Sequence, residues 1–378
     1  MFDCIIVGAG PGGTTAGYHL ANKGHSVMVL EAASFRSYKP CGGGVSPAVA
    51  QWFDFDFTPV LDNTITKVKY TWKLGDPVEI QLQGVQPMWM VRRDTFDRFL
   101  MEQALEVGAQ LKDKTEVTSI KLVGDAWQVT TNNGSYTGSY LIAADGVSGP
   151  TSSWLGLKPP EPLLGATLEV KATMSQVALE TASFDFGAFK NGYIWNFPKR
   201  DGYSISGAFF RGKGKPKELK KELENYAANL GVDLSNREYR EHSMSLWRYS
   251  RTLHSTRALL VGEAAAVADP LTGEGIRPAM FTGVKAAAAI SSALAGKADA
   301  LVEYSQAIAA EWGKDMALAH KLAGLFFQFP GIAYKVAVKK PAAAQIMSKI
   351  LCGELHYSDV TEKAIARIKS SLIPGRRG

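Results

Sequence analysis

The chain has 378 residues, 46% of them hydrophobic and 21% charged, with a formal net charge of +6. At roughly 100–200 residues per domain this length carries two domains or slightly more, and the composition excludes disorder outside the closing "PGRRG". Lys and Arg are scattered along the chain instead of gathered on one element, which argues against a nucleic-acid partner and leaves an anionic substrate or membrane surface.

Cys4, Cys41 and Cys352 are too far apart for a disulfide framework or a zinc site, so the expectation is a reduced, cytoplasmic protein. Met1 runs directly into a strand pattern, and no signal peptide is expected. His242 and His254 have no partner spacing for a metal, and none is expected.

The first element is "FDCIIVGAGPGGTTAGYHLANKGHSVMVLE". A buried strand ends in G-x-G-x-x-G (Gly8, Gly10, Gly13), a helix follows with Ala16 and Leu20 on one face, and a second strand closes at Glu31. Gly8 permits the turn, Gly10 lets backbone approach a pyrophosphate, and Gly13 lets helix pack on strand. The helix N-terminus attracts phosphate, and an acid about 20 residues on accepts from ribose hydroxyls. Gly8, Gly10, Pro11, Gly12, Gly13, Glu31 and Ala32 are therefore dinucleotide-binding candidates. The acid disfavours a 2′-phosphate, which leaves FAD or NAD.

"YKPCGGGVSP" follows, with Cys41 beside Gly42, Gly43 and Gly44; such backbone freedom suits close approach of a ligand to main chain. "ITKVKYTWKL" reads as a strand outside the nucleotide unit. "VRRDTFDRFLMEQALEVGA" runs from a strand end into an amphipathic helix bearing Phe96, Phe99, Leu100 and Leu105. "KTEVTSIKL" is a strand starting near Val117, and "YLIAADGVSGPTSSWLG" a strand ending at Asp145-Gly146. "ASFDFGAF" and "NGYIWNFPKRDGYSISGAF" place Phe184 with Phe186, and Tyr193 with Trp195 and Phe197, on single strand faces; Pro198 is expected to end its strand. "KGKPKELKKELENYAANL" is an amphipathic surface helix. In "RALLVGEAAAVADPLTGEGIRPAMFTG" a strand ends at Gly262-Glu263, and a turn through Pro270, Gly273 and Gly275 opens a helix at Ile276. The N–H groups of Gly275 and Ile276, at this helix start, can stabilise a negative charge. Residues 299–378 read as helical, broken at Pro330 and Pro341, and the apolar stretch Leu322–Val338 is too short and too interrupted to span a bilayer.

The order of these segments resembles the flavoprotein hydroxylase and reductase superfamily. "KPCGGGVSP", "NGYIWNFP" and "DPLTGEGI" further resemble the geranylgeranyl reductase family, although Lys190 stands where that family's aromatic motif opens with Pro and Glu263 where the superfamily has Asp. The resemblance covers about the first 290 residues. It implies FAD as cofactor, contacted by Arg93, Val117, Asp145, Gly146, Gly262, Glu263, Pro270, Gly273, Gly275 and Ile276. It also places the loop of Cys41, Gly42 and Gly43 at the active site. Tyr193, Trp195, Phe197, Phe184 and Phe186 would line an isoprenoid channel, and Cys41 or Tyr193 would relay a proton, with Trp195 or Tyr193 facing developing positive charge.

The implied fold is α/β: a Rossmann-type FAD-binding domain, an interleaved antiparallel or mixed β-sheet substrate domain, and a helical C-terminal region. The expected division is 1–150 for FAD, with 51–90 lent to the substrate domain, then 151–254 for substrate, 255–298 returning to FAD, and 299–378 helical. No second glycine-rich fingerprint follows, so the electron donor, NAD(P)H or a small redox protein, would dock transiently. The expected activity is reduction of isoprenoid C=C bonds at a cytoplasmic site with peripheral membrane contact. A flavin monooxygenase or halogenase is the rival; Tyr193 in place of a first Trp argues against the halogenase.

Overall fold

A computed structural model describes residues 1–82, 86–172 and 177–360. The runs rich in Val, Ile and Leu form a parallel sheet in the order Ala258–Leu260, Gly134–Ala143, Phe2–Val7, Val27–Leu30, Gln110–Lys112. Ile5 lies between Leu141 and Met28, all three buried, as a sheet covered on both faces requires. Val117–Val123 and Ala126–Thr131 extend it by antiparallel pairing.

The helices Pro11–Ala21 and Ile276–Leu294 share this core through Ala16, Leu20, Ala286, Ala287 and Ile290. Small residues set their spacing. A Cβ on Gly283 would come within 2.4 Å of Gly12 O, and one on Gly12 within 3.0 Å of Ala279 O. That close approach brings both helix N-termini to one cleft.

A second sheet has the order Glu238–Met244, Leu163–Lys171, Gly202–Phe209, Gly192–Lys199, Thr181–Phe186, Lys67–Trp72, Gly75–Gln81. It is antiparallel except that Thr181–Phe186 runs parallel to Lys67–Trp72, so residues 67–81 join this sheet and not the nucleotide sheet. Alternation divides its faces. Ile194 and Ile205 pack under the helix Pro216–Ala228 through Leu219, Leu223 and Tyr226. Tyr193, Phe197, Phe184 and Phe186 face the other way, toward Phe327 and Tyr334 of the C-terminal helices.

Pro198 does not end its strand: Gly192–Lys199 continues one residue further, with Pro198 opposite Tyr203. The neighbour on the other side stops pairing at Asn196, so the missing N–H of Pro198 leaves no gap in a two-sided ladder.

The C-terminal region is helical to Leu351, with wider π-turns at Ile308–Gly313 and Tyr334–Val338. Trp312 in the first donates its indole N–H to Val267 O at 2.8 Å. The helical region is broken just before Pro330 and Pro341, as expected, and each proline opens the next helix at the first turn, where no N–H is needed. Among the described residues no helix is long and apolar enough to cross a membrane.

Candidate active site

A cleft of about 650 Å³ opens where the glycine turn, the Cys41 loop and the second sheet meet. Gly8 takes φ +103°, and a Cβ there would sit 2.3 Å from Ala144 O; a Cβ on Gly13 would sit 2.0 Å from Gly8 O. These two glycines serve the fold. Gly10 differs: its Cβ position meets nothing within 4 Å, yet the residue lines the cleft. A side chain there would fill ligand space and nothing else.

Glu31 lies beside this turn, its carboxylate accepting from the N–H of Ala9 at 2.9 Å and of Ala33 at 3.0 Å. It therefore holds the turn, with lone pairs left for a ribose. Pro11, Gly12, Gly13, Ala32, Val117, Asp145 and Gly146 line the same cleft. Asp145 gives one oxygen to the N–H of Thr151 at 2.9 Å and leaves Oδ1 buried with no partner. Burial pushes its carboxyl up, and Thr151 pulls it back.

Gly42, Gly43 and Gly44 need no other residue's freedom to explain them. A Cβ on Gly42 would meet Trp195 Nε1 at 2.6 Å, and one on Gly44 would meet Phe197 Cε2 at 2.7 Å. Gly43 takes φ +71°, and its Cβ would sit 2.0 Å from Val91 O. The loop is pressed against the aromatic strand, with Cys41 Sγ accepting from Gly43 N–H at 3.4 Å.

Beneath it, Lys199 is buried and donates to Gly42 O and Val91 O, both at 2.8 Å. Burial pushes Lys199 down to about 8, against the pull of Glu169 and Asp62. Glu169 in turn accepts from Tyr38 and Ser204, each at 2.9 Å. Burial raises its carboxyl.

Arg93, Gly262, Glu263, Gly273, Gly275 and Ile276 also line the cleft. Burial opposes the Arg93 charge, but Asp97, bidentate at 2.8 Å and 2.8 Å, holds the guanidinium above its ordinary value. Lys39 adds a second cation 3.4 Å from Asp97. Burial pushes Glu263 up to about 7, with Arg93 pulling the other way. His242 faces this group; burial, helped by Arg93, pushes it down to about 4, and its Nδ1 has no partner.

Pro270 is buried behind the cleft and does not line it. The loop it belongs to is organised by Asp269, which accepts from the N–H of Leu271 at 2.7 Å and of Thr272 at 3.1 Å. Its other oxygen accepts from Tyr357 at 2.7 Å. Glu274 and Arg277 form a buried ion pair at 2.9 Å at the start of the helix.

A second cavity of about 190 Å³ adjoins the first, and Phe184, Thr272 and Leu351 border both. Phe186 and Tyr193 line this one with Tyr70, Phe326, Met347 and Ile350. The candidate aromatics are thus divided: Trp195 and Phe197 face the larger cleft, Phe186 and Tyr193 the smaller cavity, and Phe184 both. The Tyr193 hydroxyl donates to Thr272 O at 2.8 Å, and burial raises its pKa well above the phenolic value.

Lys39, Lys199, Glu169, His242 and Gly283 were not candidates on sequence. A lysine following Phe-Pro inside an apolar strand was the one available signal for Lys199. The i,i+3 pair Glu274–Arg277 was visible as a charge pattern.

The donor set fits FAD. Two helix N-termini and an open glycine position suit a pyrophosphate, and the unpartnered Asp145 Oδ1 and His242 Nδ1 are polar atoms in want of a ligand. A family model described as "FAD binding domain" matches residues 1–311. An uncharacterized protein of Methanosarcina barkeri is 31% identical over 296 residues, 78% of this chain and 75% of its own length. A digeranylgeranylglycerophospholipid reductase of Methanospirillum hungatei is 28% identical, covering 81% of this chain and 80% of its own. A solved geranylgeranyl bacteriochlorophyll reductase-like protein of Thermoplasma acidophilum superposes with TM-score 0.78 at 21% identity, covering 98% of this chain and 95% of that one.

Fold and cleft together define an FAD-dependent oxidoreductase. The chain belongs to the FAD-binding-domain family of flavoproteins and is similar to digeranylgeranylglycerophospholipid reductases.

Proposed function

We propose that the protein saturates C=C bonds of a prenyl lipid. The observation that carries this reading is the apolar second cavity, walled by Tyr70, Phe186, Tyr193, Phe326 and Met347 and adjoining the FAD cleft at Phe184, Thr272 and Leu351. An alkyl chain lodged in that cavity would present one double bond at the boundary.

Reduced FAD supplies a hydride when bound. The chain's own residues do the rest. Gly10, Gly12 and Gly13 offer N–H groups and space to the phosphates, and Gly275 with Ile276 sets a helix N-terminus at the cleft. An isolated alkene accepts hydride only as its other carbon takes a proton, so the substituted carbon gains positive charge. The faces of Trp195, Phe197 and Phe184 stabilise that charge, and the apolar walls keep out water that would trap it as an alcohol. The Cys41 thiol, at the cleft and beside Arg93, supplies the proton. Tyr193 serves as cavity wall, its hydroxyl already engaged as a hydrogen-bond donor to Thr272 O. Electrons arrive from NAD(P)H or a small redox protein that docks transiently.

The test is to photoreduce the flavin without oxygen and add a geranylgeranyl lipid. Flavin reoxidation with a product heavier by two hydrogens is expected. Reoxidation only with oxygen, and a product heavier by one oxygen atom, would instead make the enzyme a monooxygenase.

A further inference from the structure

Large apolar side chains stand in solvent around one junction of the C-terminal helices. Phe329 and Ile332 are 41% and 42% exposed at the short helix Pro330–Ala333, and Leu74 is 43% exposed in the hairpin turn beside it. Leu74 is held there at φ +62°, a conformation that costs a branched side chain energy, with its N–H given to Asp185 at 2.7 Å.

The junction is built, not incidental. Tyr334 donates to Asp76 O at 2.5 Å, Lys339 pairs with the Asp76 carboxylate, and a Cβ on Gly331 would touch Trp72 at 3.4 Å. Lys73, Lys335 and Lys340 are exposed around it and form no ion pair among the described residues; of the acids there, Asp76 is already paired with Lys339 and Asp185 is buried, accepting from Thr71 and Leu74.

The inner face of the same segment is the wall of the smaller cavity. Phe326, Ala333, Ala337 and Val338 line it, joined by Ala343 and Met347 of the next helix. Ala337, Val338, Ala343 and Met347 are only half-buried, so the wall of the cavity is thin here.

We propose that this face docks on an anionic lipid surface, with Phe329, Ile332 and Leu74 inserted among the acyl chains and Lys73, Lys335 and Lys340 against the headgroups. A lipid tail then passes from the bilayer into the cavity without crossing water. Apolar side chains ringed by unpaired cations match an anionic interface, and contact in the membrane plane suits a chain whose described helices cannot span a bilayer. The identity of the tail rests on the prenyl-lipid reading; the docking does not.

The test uses the full-length holoenzyme and vesicles of phosphatidylcholine, alone or mixed with phosphatidylglycerol. Co-sedimentation is expected only with the mixed vesicles and to weaken with salt. Phe329→Ser with Ile332→Ser should reduce binding roughly tenfold or more. Lys335→Glu with Lys340→Glu should do the same on anionic vesicles alone. Trp154→Ser, at an exposed tryptophan on the short helix Thr151–Trp154, should change nothing.

Reduction of prenyl lipid embedded in vesicles should fall in step with binding, while reduction of the same lipid in detergent micelles stays at the wild-type rate. Wild-type protein left in the supernatant, or patch variants that sediment like wild type, would overturn the proposal. So would a dimer that the Phe329→Ser/Ile332→Ser variant splits, with no vesicle binding. Vesicle binding that responds to both double variants, with no lipid reduced in either format, upholds the docking and rejects the prenyl-reductase reading.

Discussion

Gly10→Ala separates cofactor binding from folding. Gly10 has φ −69° and ψ 176°, which alanine adopts without strain, and its Cβ position meets no protein atom within 4 Å. The apoprotein should therefore keep its stability, or gain about 0.4–1 kcal/mol as the unfolded chain loses freedom. The new methyl lies in the cleft, where it would push a pyrophosphate off the helix N-terminus. Losing one charge-assisted hydrogen bond costs about 1.5–3 kcal/mol, or roughly 10- to 100-fold in FAD affinity. Gly13→Ala is the contrast: its Cβ would meet Gly8 O at 2.0 Å, so it should destabilise the fold itself. Apoprotein melting by differential scanning calorimetry and FAD titration by flavin fluorescence measure the two effects separately. A Gly10→Ala apoprotein that melts lower yet binds FAD as tightly as wild type would refute the assignment of this residue to the cofactor.

Lys199 should reveal itself through pH. Its folded pKa, about 8, lies below the ordinary 10.5, so between those values the unfolded chain holds the extra proton and stability rises with pH. At about 1.4 kcal/mol per pH unit, that window makes ~3 kcal/mol, absent below pH 8 and complete above 10.5. Urea denaturation of wild type and Lys199→Met across this range should show their difference moving by that amount in favour of wild type; a flat difference would mean the lysine is not buried as described. Tyr193→Phe keeps the ring and loses the bond to Thr272 O, at about 1 kcal/mol of stability. Turnover should stay within about threefold in anaerobic flavin reoxidation, because a wall needs no hydroxyl; a loss of about a hundredfold or more would make the hydroxyl a proton carrier.

Much of the FAD half was legible because its constraints are local. Gly8, Gly10, Gly13 and Glu31 act within one strand–helix–strand unit, and spacing alone locates them. The period-two pattern also placed Tyr193, Trp195 and Phe197 on one face. It did not show that two cavities divide that face, because the second is walled by Phe326, Met347 and Ile350, helix residues indistinguishable from core until their neighbours are known. Lys199 escaped for a related reason: its acceptors, Gly42 O and Val91 O, lie more than a hundred positions away. Pro198 misled because a proline ends a strand only where both sides still pair.

The bond from Tyr357 to Asp269 ties the last described turn to the loop bordering both cavities. Asp269 is buried, and without that phenol one of its oxygens would face apolar surroundings alone. The loop between the two cavities therefore owes part of its shape to a residue almost ninety positions further along the chain. A chain cut before Tyr357 would keep its glycine turn and lose one of the anchors of this loop.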